Sequence, residues 1–371
     1  MVKLTWEQVL AWRVRRGFLE PRTDQAVGPI VSRLCGVQAQ VASSAELAVG
    51  VRQAKPGPGG IEGGLAAKSL VKTWVMRGTL HAMPTAGAPA YLSLVASARS
   101  WEKGAWQRAF GASPSEMAAL KDLVAELLHG RLMTRDELVA SITARREFSH
   151  LEEALRSGWG AVLKPLSWQG ALCFGANEGK KVRFTNPASL LPDWSEPPEP
   201  EVAASSVIAS YLGAYGPATP AVFDAWLTRG ASKKGTLRSW FAAMGDRLVE
   251  VDVEGTAASL LAEHVDEIAA IEPSNEVRLL GGFDPYVLGP GTKCAPMLKP
   301  EHRSRVSRAA GWISPVVVAG GRIIGVWERE GGEVTVSLFP GEQAPRQSVL
   351  DREVAHLAAA CGLERLGIRV T

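Results

Sequence analysis

Apolar positions recur at helical spacing through the first part of the chain and at strand spacing toward its end. Leu4, Val9, Trp12 and Leu19 mark an amphipathic helix opened by Thr5, and Gln8 three residues on completes a capping-box pattern. Asp24 is placed to cap a second helix through Ile30, Val31 and Leu34, and a third runs through Leu47, Val49 and Val51. The stretch 55–60, two prolines and three glycines after Lys55, is a loop. Residues 71–83 then alternate imperfectly around Gly78 and are rich in β-formers, which predicts the strands of a small ribbon.

Three helices followed by a short ribbon is the element order of a winged helix-turn-helix, and the order recurs. Thr134 with Glu137, and Ser149 with Glu152, open two helices; a tryptophan-rich segment to Trp168 leads to a strand at 171–174, a turn, and a strand at 182–184. A helix over 202–215, a second begun by Thr219-Pro220 and a third over 234–244 precede a ribbon within 247–262. Between the first two copies, residues 84–97 and a Ser113-capped helix to Leu128 form a helical connection. From Val277 onward, short apolar runs at 277–280, 316–318, 323–327 and 334–338 are separated by glycine turns, and residues 350–361 close as a helix. The expected fold class is α+β: three tandem winged helix-turn-helix motifs plus a C-terminal β-barrel-like domain. The expected boundaries are winged helix 1 at 1–83, the connection at 84–130, winged helix 2 at 131–186, a proline-rich linker at 187–200, winged helix 3 at 201–275 and the β-rich domain with its terminal helix at 276–371.

Composition narrows the class rather than the function. With 46% hydrophobic and 21% charged residues and a mean hydropathy of +0.02, the chain is an ordinary globular protein. No apolar run approaches the roughly 18 residues of a spanning helix, and the N-terminus lacks a signal-peptide core, so a cytoplasmic protein without membrane contact is expected. Cys35, Cys173, Cys294 and Cys361 show no Cys-x-x-Cys spacing, and neither a disulfide framework nor a metal site is expected. The net charge of +3 is mild, but it is unevenly spread. Lys68, Lys72, Arg77, Arg99, Lys103 and Arg108 face only Glu102 within 66–109, while 246–272 is strongly acidic; such a field suits a protein with one side toward a polyanion. Trp12, Trp74, Trp159, Trp226 and Trp240 fall in apolar patterns and are expected in the core.

The unusual local chemistry is at Gly36-Val37-Gln38-Ala39-Gln40. In a helix, Gln38 and Gln40 would point roughly 200° apart; in an extended or turn conformation they point the same way and can converge on one small object. Gly36 and the Ser43-Ser44 pair are compatible with a turn that ends one helix and caps the next. A carboxamide accepts and donates hydrogen bonds but does not titrate near neutrality, so the pair can hold a water without acting as a strong base. Two solvated turn residues would leave the same pattern.

Four blocks carry a family resemblance. Val37-Gln38-Ala39-Gln40, Trp74 through His81, Leu279 through Tyr286, and Gly311-Trp312 with Gly325-Val326-Trp327 resemble, in this order, the signature blocks of the AlkZ-like (YcaQ-like) bacterial DNA glycosylases, over nearly the whole chain. The resemblance implies three tandem winged-helix motifs and a C-terminal β-domain around a concave DNA channel, with a Gln-x-Gln or Gln-x-Asp catalytic motif on its floor. Gln38 and Gln40 stand at the motif positions, which places the chain in the Gln-x-Gln branch associated with self-resistance to a genotoxic alkylating natural product. The implied partner is double-stranded DNA carrying N7-alkylpurine adducts or interstrand crosslinks. The implied enzyme is a monomer, without cofactor, located with the nucleoid in the cytoplasm.

An N7-alkylated purine is already cationic and leaves as a neutral base, so positioned water and carbonyl dipoles suffice and no Schiff-base lysine is required. Around the motif, Ser43 and Ser44 are candidates to hold a phosphate at the helix start, and Arg77 and His81 on the first ribbon to reach phosphate or lesion. His81 reads equally as a packing histidine, and Asp284 as a turn cap more readily than as a supporting group of the site. Lys233, Lys234 and Arg238 at a recognition-helix position, Lys180, Lys181 and Arg183 on a wing, and Arg303, Arg305 and Arg308 are candidates for backbone contacts. Competing functions are a winged-helix DNA-binding regulator without catalysis and a scaffold whose wings bind protein.

Overall fold

The computed structural model describes residues 1–371, and the chain divides into two compact units. The first comprises Met1–Gly63, Ile208–Trp226 and Phe241–Thr371; the second comprises Gly64–Val207 and Leu227–Trp240.

In the first unit, Thr5 and Gln8 form the reciprocal capping box at the start of the helix Trp6–Arg16. Such a cap is worth about 1 kcal/mol and fixes where the helix begins. The helix is buried on two sides. Val9 and Trp12 pack with Val251, Val253 and Leu260, while Leu10 and Val14 join the larger core of the C-terminal strands. The acidic ribbon is the hairpin Leu248–Val253 with Thr256–Leu261, turned by Glu254 and Gly255 at φ 47° and 87°, the left-handed pair a two-residue hairpin needs. Val2–Leu4 adds to it as a parallel third strand, a pairing that three residues at a chain start do not signal.

The C-terminal strands form one curled sheet in the order Val277–Leu280, Val316–Ala319, Arg322–Glu330, Glu333–Leu338 and Gly367–Val370. Neighbours are antiparallel except the last pair, which is parallel because the helix Gln347–Ala360 intervenes as a crossover. A bulge between Val317 and Val318 helps the sheet curl, and it stays an open half-barrel. Val316, Val318, Val334, Val336, Leu350, Val354 and Leu357 fill its interior.

The second unit is built on the ribbon Leu70–Trp74 and Leu80–Pro84, in register from Leu70 opposite Pro84 to Trp74 opposite Leu80. Lys72 pairs with Phe174, Phe174 with Phe184, and Met133 with Phe184, so the strands of the two expected wings share one sheet. Ser113–Glu116 and Thr134–Glu137 are capping boxes, for the helices Pro114–Leu128 and Arg135–Thr143. Leu120, Val124, Leu138, Ile142, Leu163 and Phe184 make its core.

Three local expectations are corrected. Asp24 caps nothing: the helix Val27–Arg33 begins after Ala26, without a side-chain cap. Ser149 bonds back to the carbonyl of Arg146 inside a tight 3-10 segment, and the helix Glu152–Arg156 starts after Leu151 with no side-chain cap. Trp159 is 73% exposed rather than buried. The slot beside it belongs to the Trp74 ring, which lies 2.6 Å from where a Cβ on Gly160 would be, so the turn brings backbone to the core and turns its own indole out. Trp12, Trp74, Trp226 and Trp240 are buried as expected.

Candidate active site

The Gln-x-Gln segment begins where the helix Val27–Arg33 ends. Gly36 N–H donates to the Val31 carbonyl at 2.9 Å and Cys35 N–H to the Ser32 carbonyl at 3.0 Å, the paired bonds of a Schellman motif. Cys35 and Gly36 hold φ of 55° and 92°, so the chain reverses at the glycine. Tyr215 Oη donates to the Leu34 carbonyl at 2.7 Å and fixes the turn from the helix Pro200–Tyr215. Val37 and Gln38 then run extended, and the next helix, Ala42–Gly50, starts after Val41.

The extended strand covers Val37 and Gln38, and Gln40 follows at a bend. Val37 and Ala39 are buried at 0% and 3%, anchoring the segment, while Gln40 is exposed. Gln38 is 8% exposed, and no group of the chain hydrogen-bonds either carboxamide. The Gln38 Nε2 and Oε1 are therefore available to a ligand or water from outside.

Helix Ala42–Gly50 is seated by close approach. A Cβ on Gly281 would stand 2.8 Å from Leu47 Cδ2, one on Gly282 3.0 Å from the Ile313 carbonyl, and one on Gly50 2.8 Å from Ala360 Cβ. Side chains at positions 281 and 50 would lift the helix and displace the motif that leads into it, while one at 282 would press on the Ile313 backbone. Below it, Asp284 takes a bidentate ion pair from Arg52, Nη1 to Oδ2 at 2.8 Å and Nη2 to Oδ1 at 2.7 Å, with both side chains fully buried. Arg52 also donates to the carbonyls of Ala48 at 2.6 Å and Gly17 at 2.9 Å, so it ties the end of the motif helix to the first helix. Asp284 caps the turn Pro285–Leu288 by accepting from Tyr286 N–H at 2.8 Å. The aspartate is thus both cap and counter-ion, acting on the motif through Arg52. Arg52 carries no sequence signal, because its partner lies 232 residues away.

The serines sit in the first turn of the motif helix, but neither caps it. The N-cap is Val41, whose side chain cannot, and Ser44 N–H bonds the Val41 carbonyl at 3.1 Å. Ser43 is exposed and Ser44 half-buried. Arg303 and Arg305, also in the first unit, are exposed on the short helix Arg303–Val306. Arg303 donates to Thr292 Oγ1 at 3.3 Å, and the Arg305 guanidinium lies 5.8 Å over the Phe339 ring.

The remaining candidates belong to the second unit. Arg77, at φ 58°, is in the turn joining the ribbon strands. His81 is 2% exposed, and its Nδ1 meets the Thr79 carbonyl at 3.0 Å, which requires Nδ1 to carry the proton. Burial, reinforced by Arg77, pushes this imidazole down to about 3, so it is neutral at physiological pH and offers no charge to a phosphate. Lys180 and Lys181 are exposed at the hairpin tip, where Glu178 and Lys181 bridge; Arg183 continues the second strand. Lys233, Lys234 and Arg238 are exposed at the start of the helix Lys234–Ala242. Half-buried Lys164, absent from the sequence reading, lies in this unit as well.

Residues 31–360 match the family model "DNA glycosylase AlkZ-like", and the chain belongs to that family of DNA glycosylases. It is a hydrolase acting on N-glycosyl bonds. It is 53% identical over 370 residues to the "Interstrand DNA cross-link repair glycosylase" of Streptomyces sahachiroi, with 100% of both chains covered. It matches the solved structure of the "Streptomyces sahachiroi DNA glycosylase AlkZ" with a TM-score of 0.98 and 52% identity over 100% of each chain.

Proposed function

We propose that this enzyme is a monofunctional, monomeric glycosylase that releases N7-alkylated purines from duplex DNA and unhooks interstrand crosslinks made through them, protecting its host against a genotoxic alkylating natural product. The observation that supports the mechanism is Gln38: a largely buried residue whose carboxamide takes no hydrogen bond from the chain and is not sealed from water, two residues before the exposed Gln40. Two neutral amides suit a leaving group that is already cationic. The base departs neutral without protonation, and the work left is to orient water and place carbonyl dipoles against an oxocarbenium-like sugar. In this scheme Gln38 and Gln40 do both, and the helix-plus-ribbon segments act as winged-helix motifs lining a concave DNA channel.

The field of the motif helix opposes one part of this task and aids another. Its positive end begins at Ala42, and a cationic sugar in line with it would be disfavoured by up to about 1 kcal/mol. The same end favours an anion, and we assign Ser43 and Ser44, with the first-turn amides, to a phosphate flanking the lesion. Arg77, Lys180, Lys181, Lys233, Lys234, Arg238, Arg303 and Arg305 are assigned to sequence-independent backbone contacts, and His81 to supporting the ribbon turn.

A duplex carrying one N7-linked interstrand crosslink tests the function. The enzyme is expected to convert it to separable strands on a denaturing gel, with an abasic site left behind and no protein–DNA adduct trapped by borohydride. A trapped adduct would replace the water mechanism by an amine nucleophile. Tight sequence-specific binding of undamaged duplex without base release would make the chain a regulator.

A further inference from the structure

Of the phenylalanine, tyrosine and tryptophan side chains, only Trp159 and Trp312 are exposed. Trp312 belongs to the first unit, which also holds Gln38 and Gln40, and it is 44% exposed. The loop that carries it is closed by its own backbone. Arg308 N–H donates to the Trp312 carbonyl at 2.8 Å, Trp312 N–H to the Ala309 carbonyl at 3.2 Å and Ser314 N–H to the Val306 carbonyl at 2.9 Å. Ala310 and Gly311 hold φ of 55° and 76°, so an alanine is kept in the left-handed region to make the turn. Val306, Ile313 and Ser314 are buried at the base of the loop, and residues 308–312 stand out from it.

Three contacts set this loop beside the Gln-x-Gln turn. A Cβ on Gly282 would stand 3.0 Å from the carbonyl of Ile313, the residue after Trp312, and 3.7 Å from Ser44 Oγ in the first turn of the motif helix. The Trp312 ring meets the Phe283 ring edge to face, with centroids 5.0 Å apart. Phe283 itself holds φ 60°, a conformation bulky residues rarely take, between Gly282 and the buried Asp284 that pairs with Arg52. Val41, which directly follows Gln40, packs against the same core as Phe283 and Ile313. Strained backbone at 283 and at 310 thus orients one indole, still open to solvent, at the margin of the motif.

We propose that Trp312 is a specificity-determining residue, whose indole face stacks on the lesion base and reads the positive charge of an N7-alkylated purine by a cation–π contact. This rests on the glycosylase function proposed above. A purine of either charge can cover an indole, but the negative π-face favours a cationic ring over a neutral one of the same shape. Gln38 and Gln40 carry no net charge with which to make that distinction in binding. When the N-glycosidic bond breaks, its electron pair goes to the base, which departs neutral; the positive charge passes to the sugar, and water adds to C1′ and releases its proton to solvent. The contact is therefore stronger in the bound substrate than in the transition state, so Trp312 selects at binding and does not speed bond cleavage.

Binding by the full chain is measured at one salt concentration on two duplexes that differ in a single ring atom, one carrying cationic N7-methylguanine and the other its neutral isostere 7-methyl-7-deazaguanine. Both bases are placed on 2′-fluoroarabinose, whose electron-withdrawing fluorine disfavours the cationic sugar and keeps the base attached. Wild type is expected to prefer the cationic base by about 5- to 30-fold, Trp312→Ala to bind both alike, and Trp312→Phe, a weaker face, to keep part of the preference. The phenylalanine variant retains a ring against Phe283, so it tests the contact even if alanine disturbs the loop. On a cleavable N7-methylguanine duplex, Trp312→Ala is expected to release base within about threefold of the wild-type rate at saturating enzyme, with half-saturation moved to higher enzyme concentration. A wild type without preference, a preference that survives in Trp312→Ala, or a rate lost at saturation would each overturn the assignment. Base release by the wild type on the cleavable duplex reports on the glycosylase function separately, so failure of one is not mistaken for failure of the other.

Discussion

Replacing Gln38 and Gln40 together by alanine is expected to lower single-turnover release of N7-methylguanine by at least about 10²-fold, the loss found when one preorganised dipole is removed from a developing charge. The two amides share one task, so the double variant is not expected to equal the product of the single losses. The fold should survive. Gln40 is exposed, and Gln38 has no hydrogen bond in the chain to lose, so truncation leaves no buried group newly unpaired. Val37 and Ala39, which anchor the segment, are untouched. Thermal unfolding and duplex affinity close to wild type, beside the lost release, would separate a chemical role from a structural one. Release at the wild-type rate would remove the pair from the active site.

Asp284→Ala is expected to destabilise the first unit by about 3–5 kcal/mol, the cost of leaving a buried charge without its partner. Arg52 is fully buried, and its remaining acceptors, the carbonyls of Gly17 and Ala48, do not neutralise it. The same change removes the acceptor for Tyr286 N–H. The double variant Asp284→Ala, Arg52→Met is expected to recover part of the loss, because it removes the stranded charge and fills the volume. Denaturant unfolding of the two variants measures this. A single variant within about 1 kcal/mol of wild type would mean that the pair does not hold the motif helix in place.

Sequence reasoning succeeded where the determining chemistry is local. The same three-residue spacing of hydroxyl and carboxylate or amide located the helices beginning at Trp6 and Arg135, and the Ser113 hydroxyl alone marked the one beginning at Pro114. It failed at Ser149, where a 3-10 turn lets the hydroxyl bond back to Arg146 before the helix begins. The Gln pair was legible as an unusual polar motif because the residues flanking it are apolar, but the extended strand covers only Val37 and Gln38, and Gln40 follows at a bend. Its support was only half legible. The Gly-Gly-Phe-Asp block marked something unusual, but why glycine is needed at 281 and 282 depends on Leu47 and Ile313 arriving from distant segments. Arg52 drew no notice in the sequence, because only tertiary packing buries it against Asp284, 232 residues away. Trp159 shows the opposite error: an apolar pattern cannot tell which of two tryptophans, 74 or 159, occupies a single slot.

The central claim is that two non-titrating amides suffice because the leaving base is already cationic. Single-turnover release from matched duplexes bearing N7-methylguanine, hypoxanthine or uracil, followed across about pH 6 to 8, tests it most directly. The expected result is release of N7-methylguanine alone, with a rate flat in pH, since carboxamides do not ionise there and His81, pushed down to about 3, stays neutral. Release of hypoxanthine or uracil at a comparable rate, or a rate that falls with a single titration inside that range, would contradict it.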